Sequence, residues 1–140
     1  WLEFRRVLFR SEGKKLYGDG QYEDALKRFK DVVLLDNKNE EAIKYKTTIE
    51  KILKLRQDAE ELYYRGEYKS SLAKLNEILD INPNDEYSKY TIQVVQDMTH
   101  LIEKGNKYYM NNEFEDALEV YDEILKLNPG DKHVKNIIPI

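Results

Sequence analysis

Tyr22, Tyr68 and Phe114 stand 46 residues apart, each at the head of the same written pattern. From Asn112 to Pro129 the chain reads NEFEDALEVYDEILKLNP, from Gly66 to Pro83 GEYKSSLAKLNEILDINP, and from Gly20 to Asn37 GQYEDALKRFKDVVLLDN. In the last copy Phe114, Ala117, Leu118, Tyr121, Ile124, Leu125 and Leu127 recur at steps of three and four, which predicts an amphipathic helix stopped by Asn128-Pro129. Three copies at one period predict a repeat array, because each unit is too small to bury its apolar face alone and must stack on its neighbours.

The segments between the copies extend the pattern. Gly18-Asp19-Gly20 is a turn signal that closes a helical piece over Glu12 to Gly18 and opens the first short helix, Tyr22 to Leu35. Asp36-Asn37-Lys38-Asn39 is a polar break where the other copies carry Asn-Pro. Between about Glu40 and Arg65, Ala42, Tyr45, Ile49, Ile52, Leu53, Ala59, Leu62 and Tyr63 keep helical spacing without Pro or Gly, so a single rod of about seven turns is expected. The second cycle repeats this. Tyr68 to Ile81 is the short helix, and Asp85 is placed to cap the N-terminus of a second rod. That rod runs from about Glu86 to Met110 with Tyr90, Val94, Val95, Met98, Leu101, Ile102, Gly105 and Tyr108 on its apolar side. Val134, Ile137 and Ile138 fall where a third rod should begin, before Pro139 interrupts, so both ends are expected to be cut edges of a longer array.

The first eleven residues stand apart. Leu2 to Ser11 reads LEFRRVLFRS, which is the one-frame translation of a common sequencing-library adapter, so residues 1–11 are expected to be non-native and residues 12–140 to form the repeat domain. Without Arg5, Arg6, Arg10 and Glu3 the net charge moves from −4 to −6. Lys and Glu are mixed along every helix, with no clustered basic face to serve nucleic acid or anionic lipid. The absence of Cys excludes disulfides and thiolate chemistry, and no apolar run approaches the ~20 residues that span a bilayer. The compartment is left open by these residues, with a lean to the cytoplasm.

The residues resemble the tetratricopeptide repeats. That family pairs two antiparallel helices, with a small residue in the first, Gly at the turn, aromatic-x-x-Ala-Leu in the second and Pro after it. Here the small residue is Gly13, Ala59 and Gly105; the turn is Gly20, Gly66 and Asn112; the Ala position is Ala25, Ser71 and Ala117; the later large residue is Phe29, Leu75 and Tyr121. The repeat cores lie at about 12–37, 53–83 and 99–129. The departure is the period, since the family unit is about 34 residues, and the surplus of about twelve lengthens the first helix of each pair. The resemblance implies an all-α solenoid of helical hairpins with long first helices, and a rod that projects past its partner or packs on the neighbouring rod.

The same resemblance implies a function. Family ligands usually lie on the concave side lined by the first helices, which maps to Lys14, Tyr17, Arg56, Glu60, Tyr63, Tyr64, Ile102, Asn106, Tyr109 and Met110 as protein-binding residues. A tyrosine at one register per repeat, Tyr17, Tyr63 and Tyr109, suits peptide recognition and equally suits packing. The basic clamp by which some members hold a chaperone's terminal carboxylate is not expected, because only Asn106 fits it, Lys14 would pair with a residue upstream of the repeats, and Glu60 has the wrong charge. His100 and His133 lack partners at metal or catalytic spacing, and no phosphate loop is present, so no catalytic residue, metal site or cofactor is predicted. The expected partner is a protein or peptide. A recruiting arm of a larger enzyme is the alternative, and a rod self-associating through uncapped repeat ends is the third.

Overall fold

A computed structural model describes residues 1–137 of the chain; Ile138 and Pro139, where the sequence predicts an interruption of the third rod, lie outside the described residues. The described residues form seven helices: α1 (Leu2–Gly18), α2 (Tyr22–Leu35), α3 (Glu40–Tyr64), α4 (Tyr68–Ile81), α5 (Glu86–Met110), α6 (Phe114–Leu127) and α7 (Lys132–Ile137). They pack as successive pairs, α1 on α2, α3 on α4 and α5 on α6, with α2 and α4 also lying against the long helix that follows and α6 against the short α7. This is the all-α solenoid of helical hairpins with long first helices that the resemblance implies.

Each hairpin turns on one residue with positive φ. Gly20 (φ 77°), Gly66 (φ 82°) and Asn112 (φ 62°) take the left-handed conformation just past a long helix, the region that Gly enters freely and Asn tolerates. The next amide then reaches back five residues, Gln21 N–H to Leu16 O at 2.9 Å, Glu67 N–H to Leu62 O at 2.8 Å and Glu113 N–H to Tyr108 O at 2.9 Å. That closure satisfies carbonyls otherwise orphaned at the helix end. At the other end of the unit, Asn39 and Asp85 cap α3 and α5 by accepting from Ala42 N–H (3.0 Å) and Ser88 N–H (3.3 Å).

The small residues mark where the pairs touch. A Cβ on Gly13 would lie 2.9 Å from the Phe29 ring, and one on Gly105 would lie 2.7 Å from the Tyr121 ring. Ser71, in the place of Ala25 and Ala117, is fully buried and donates its hydroxyl to Ala59 O at 2.8 Å, so it packs like the alanines without leaving a polar group unpaired.

The surplus turns neither project past the hairpin nor pack only on the next rod. Near the N-terminal end of α3, Tyr45 stacks on Phe29 of the preceding short helix at 4.7 Å and 5°, whereas near the C-terminal end Ala59 accepts from Ser71 of the following one. One rod therefore joins two short helices. Its first half buries Ala42, Ile49 and Ile52, and α5 buries Ser88, Val95 and Met98 at the same register. In α1 the counterparts of Ile49 and Ile52 are Glu3 and Arg6, Leu2, Phe4, Val7 and Leu8 are exposed, and the helix runs back to Leu2 rather than covering only Glu12 to Gly18.

Some residues expected in the core are outside it. Tyr90 is 72 % exposed, and Phe114, Leu118 and Leu127 are all at least half exposed. Periodicity assigns them to an apolar face, but a face is buried only where another helix covers it, and Phe114 on α6 rests on Tyr109, which is itself 52 % exposed.

Candidate functional site

Between successive pairs the chain builds the same buried junction twice. Tyr22 Oη donates to Asp85 Oδ2 (2.8 Å) and accepts from Asn82 Nδ2 (2.9 Å), and Tyr68 Oη donates to Asp131 Oδ2 (2.6 Å) and accepts from Asn128 Nδ2 (2.8 Å). The two aspartates also receive backbone amides, from Ser88 and Val134, at the start of the next helix. Thus the Asn-x-x-Asp break after α4 and after α6 grips the tyrosine that opened the previous short helix. Burial and the carboxylate partner push the Tyr22 and Tyr68 hydroxyls well above the usual phenol range, because both oppose a phenolate there. In the second junction Asn128 also donates to Tyr63 O at 2.8 Å, and Gly130 lies so close to the Tyr64 carbonyl that a Cβ would overlap it.

Arg56 belongs to the first junction. Its guanidinium lies 4.1 Å from the centre of the Tyr87 ring and 5.2 Å from that of Tyr22, with Nη2 3.8 Å from Asp85 Oδ1. A delocalised cation between two aromatic faces, beside a buried carboxylate, compensates that charge. Ile102 occupies the equivalent position in the second junction, half-buried against the core.

Above the junctions, successive long helices overlap by halves. The C-terminal half of α1 meets the N-terminal half of α3 through Tyr17 and Tyr45, edge to face at 5.3 Å, and α3 meets α5 through Glu60, which accepts from Tyr87 Oη at 2.6 Å. Two clefts result. The first, about 500 Å³, is lined by Lys14, Tyr17, Glu41, Lys44, Tyr45, Thr48 and Ile81. The second, about 400 Å³, is lined by Glu60, Tyr63, Tyr64, Tyr87, Tyr90, Thr91 and Val94 over a floor of Ala59 and Leu75. They are period images of one another, Lys14 with Glu60, Tyr17 with Tyr63, Glu41 with Tyr87, Lys44 with Tyr90, Tyr45 with Thr91 and Thr48 with Val94.

The residues expected to bind a partner therefore divide. Lys14, Tyr17, Glu60, Tyr63 and Tyr64 wall the two clefts. Tyr17 and Tyr63 also pack edge-on against Tyr22 (5.7 Å) and Tyr68 (5.4 Å), so they join cleft to junction; burial raises both hydroxyls. Asn106 accepts from Tyr121 Oη at 2.7 Å, Tyr109 lies edge-on to Phe114 at 5.5 Å, and Met110 is exposed, all three near the C-terminal end of α5. The mapping missed Glu41, Lys44, Tyr45, Thr48, Tyr87, Tyr90, Thr91 and Val94 because it took only the C-terminal half of each rod.

Residues 101–131 match the family model of the tetratricopeptide repeat. The match is to a tetratricopeptide repeat. It covers the end of α5, all of α6 and the break to Asp131, and the same stretch one and two periods earlier folds alike, as half a rod plus a short helix. Comparison with curated proteins and with solved structures gave no match. Among the described residues no helix is long and apolar enough to cross a membrane.

Proposed function

We propose that the chain is a protein-interaction module that receives an extended peptide across the face made by its long helices. Tetratricopeptide repeats are interaction modules, and an all-helical fold of this kind is typically non-catalytic. The observation that carries the reading is the cleft between α3 and α5, where Tyr64 (63 % exposed) and Tyr90 (72 % exposed) stand beside an apolar floor. Large aromatic rings left in water at the mouth of a cleft are the side chains that most often supply binding energy. His100 is exposed beside Glu103 and His133 is exposed on α7, which gives neither a role in this site.

The test selects a displayed library of random short peptides on the full chain and then measures the winners on the double variant Tyr64→Ala/Tyr90→Ala. The variant keeps the wild-type melt, because both residues are exposed, and loses about 2 kcal/mol of affinity, as expected for central aromatic anchors. Equal affinity on folded variant protein would remove the cleft from the binding account.

A further inference from the structure

The two clefts share a backbone frame and differ in charge. The wall position held by Lys14 in the first is Glu60 in the second, and that held by Lys44 is Tyr90. In the second cleft no cation is offered: Arg56 is drawn into the junction below, and Glu60 is engaged by Tyr87. In the first cleft Lys14 pairs with Glu41, which Arg10 also approaches at 3.9 Å, and Lys44 is exposed and makes no ion pair among the described residues. The first cleft thus carries net positive charge on a chain whose net charge is −4.

We infer that the preferred partner is a peptide segment with an acidic side chain followed or preceded, about three residues away, by a large aromatic or aliphatic one. The inference rests on the proposed peptide-binding reading of the long-helix face. The acidic group lies between Lys14 and Lys44, within reach of the Tyr17 and Tyr45 hydroxyls, and the apolar side chain enters the cleft of Tyr63, Tyr64, Tyr90 and Val94. A separation of about three residues corresponds to one helix spacing of roughly 10 Å between the clefts, spanned by an extended chain that advances about 3.3 Å per residue. A basic segment is disfavoured at the first cleft by its two lysines.

Peptides enriched from the random library are read for composition, and a fluorescein-labelled synthetic peptide carrying the enriched pattern is titrated by anisotropy. The expected result is acidic enrichment at about three residues from an aromatic. Replacing the acid with Lys should weaken binding at least tenfold, and Lys14→Gln/Lys44→Gln should reduce that preference to under threefold. Added salt should narrow the preference on wild type and leave it unchanged on the Gln variant. The Gln variant removes both charges while keeping a polar side chain one atom shorter, and its melt verifies the fold. Enriched peptides that lack acids, yet lose affinity on Tyr64→Ala/Tyr90→Ala, would overturn this inference and leave the peptide-binding reading standing. Enriched peptides insensitive to both variants, or no enrichment at all, would overturn both.

Discussion

The junctions and the clefts lie side by side on the same helices, yet the hydrogen-bonded Tyr-Asn-Asp set of the junction is repeated, with Arg56 exchanged for Ile102 beside it, while the walls of the cleft are rewritten. Tyr22, Asn82 and Asp85 reappear as Tyr68, Asn128 and Asp131 with bond lengths within about 0.2 Å, whereas Lys14, Glu41, Lys44 and Thr48 become Glu60, Tyr87, Tyr90 and Val94. The physical reason lies in solvation. A buried hydroxyl, amide and carboxylate satisfy one another only as a set, so changing one leaves the others unpaired in a low-dielectric site. A cleft wall faces water on one side, where exchanging Lys for Tyr strands nothing.

The contrast breaks first at Asp85. Asp85→Ala removes the acceptor of Tyr22, the cap of α5 and the carboxylate beside Arg56 together, leaving buried donors and a part-buried cation without a partner. About 3–4 kcal/mol of stability should be lost in urea unfolding. Asp131→Ala should cost less, because Ile102 stands where Arg56 stands in the first junction and no cation is stranded. Equal losses would mean that Arg56 contributes nothing through Asp85.

The tyrosine hydroxyls come next. Tyr22→Phe and Tyr68→Phe should each cost about 1–3 kcal/mol, since each leaves a buried asparagine amide and a carboxylate oxygen unpaired. Phe114→Tyr, at the same register but half exposed, should change stability by less than about 0.5 kcal/mol. A large effect at 114 would show that the register and not the junction sets the energy.

Alkaline titration sharpens the same point. The folded Tyr22 and Tyr68 hydroxyls titrate above the unfolded phenol, so between the two values the folded state holds protons that the unfolded state has released. Their stabilisation is therefore intact below about pH 10 and declines as pH rises beyond it. The double Phe variant should show a shallower alkaline decline, followed by circular dichroism in a series of buffers.

Much of this was legible in the residues. The 46-residue spacing, the turn residues Gly20, Gly66 and Asn112, and the helix ends at Leu35 and Ile81 are local signals, and the fold respects each of them. Phe114 and Leu118 fall outside the core they were assigned to because periodicity names an apolar face but not the element that covers it. The junction bonds were invisible for a different reason: Tyr22 and Asp85 are 63 residues apart, and no local pattern declares that a helix-capping aspartate will also accept a distant phenol. Part of the cleft was found through Lys14, Glu60, Tyr63 and Tyr64, while its opposite wall was lost because the stagger of the rods is a tertiary fact.

The smallest expected effect on stability is the most informative about the clefts. A Cβ on Gly18 would meet nothing within 4 Å, and Lys44 is exposed; one period on, these positions are Tyr64 and Tyr90. Gly18→Tyr with Lys44→Tyr therefore grafts the two exposed tyrosines of the second cleft onto the first without touching a junction. Stability should change by less than about 0.5 kcal/mol, because Tyr22, Asn82 and Asp85 keep their bonds. The graft should also convert a preference for one acidic and one aromatic side chain into tolerance of aromatic side chains at both sites, measured with the anisotropy peptide and its two-aromatic counterpart. A graft that unfolds would show that the first cleft wall is part of the packing after all. A graft that folds and keeps the acidic preference would place that preference on Lys14 alone, which Lys14→Gln then tests directly.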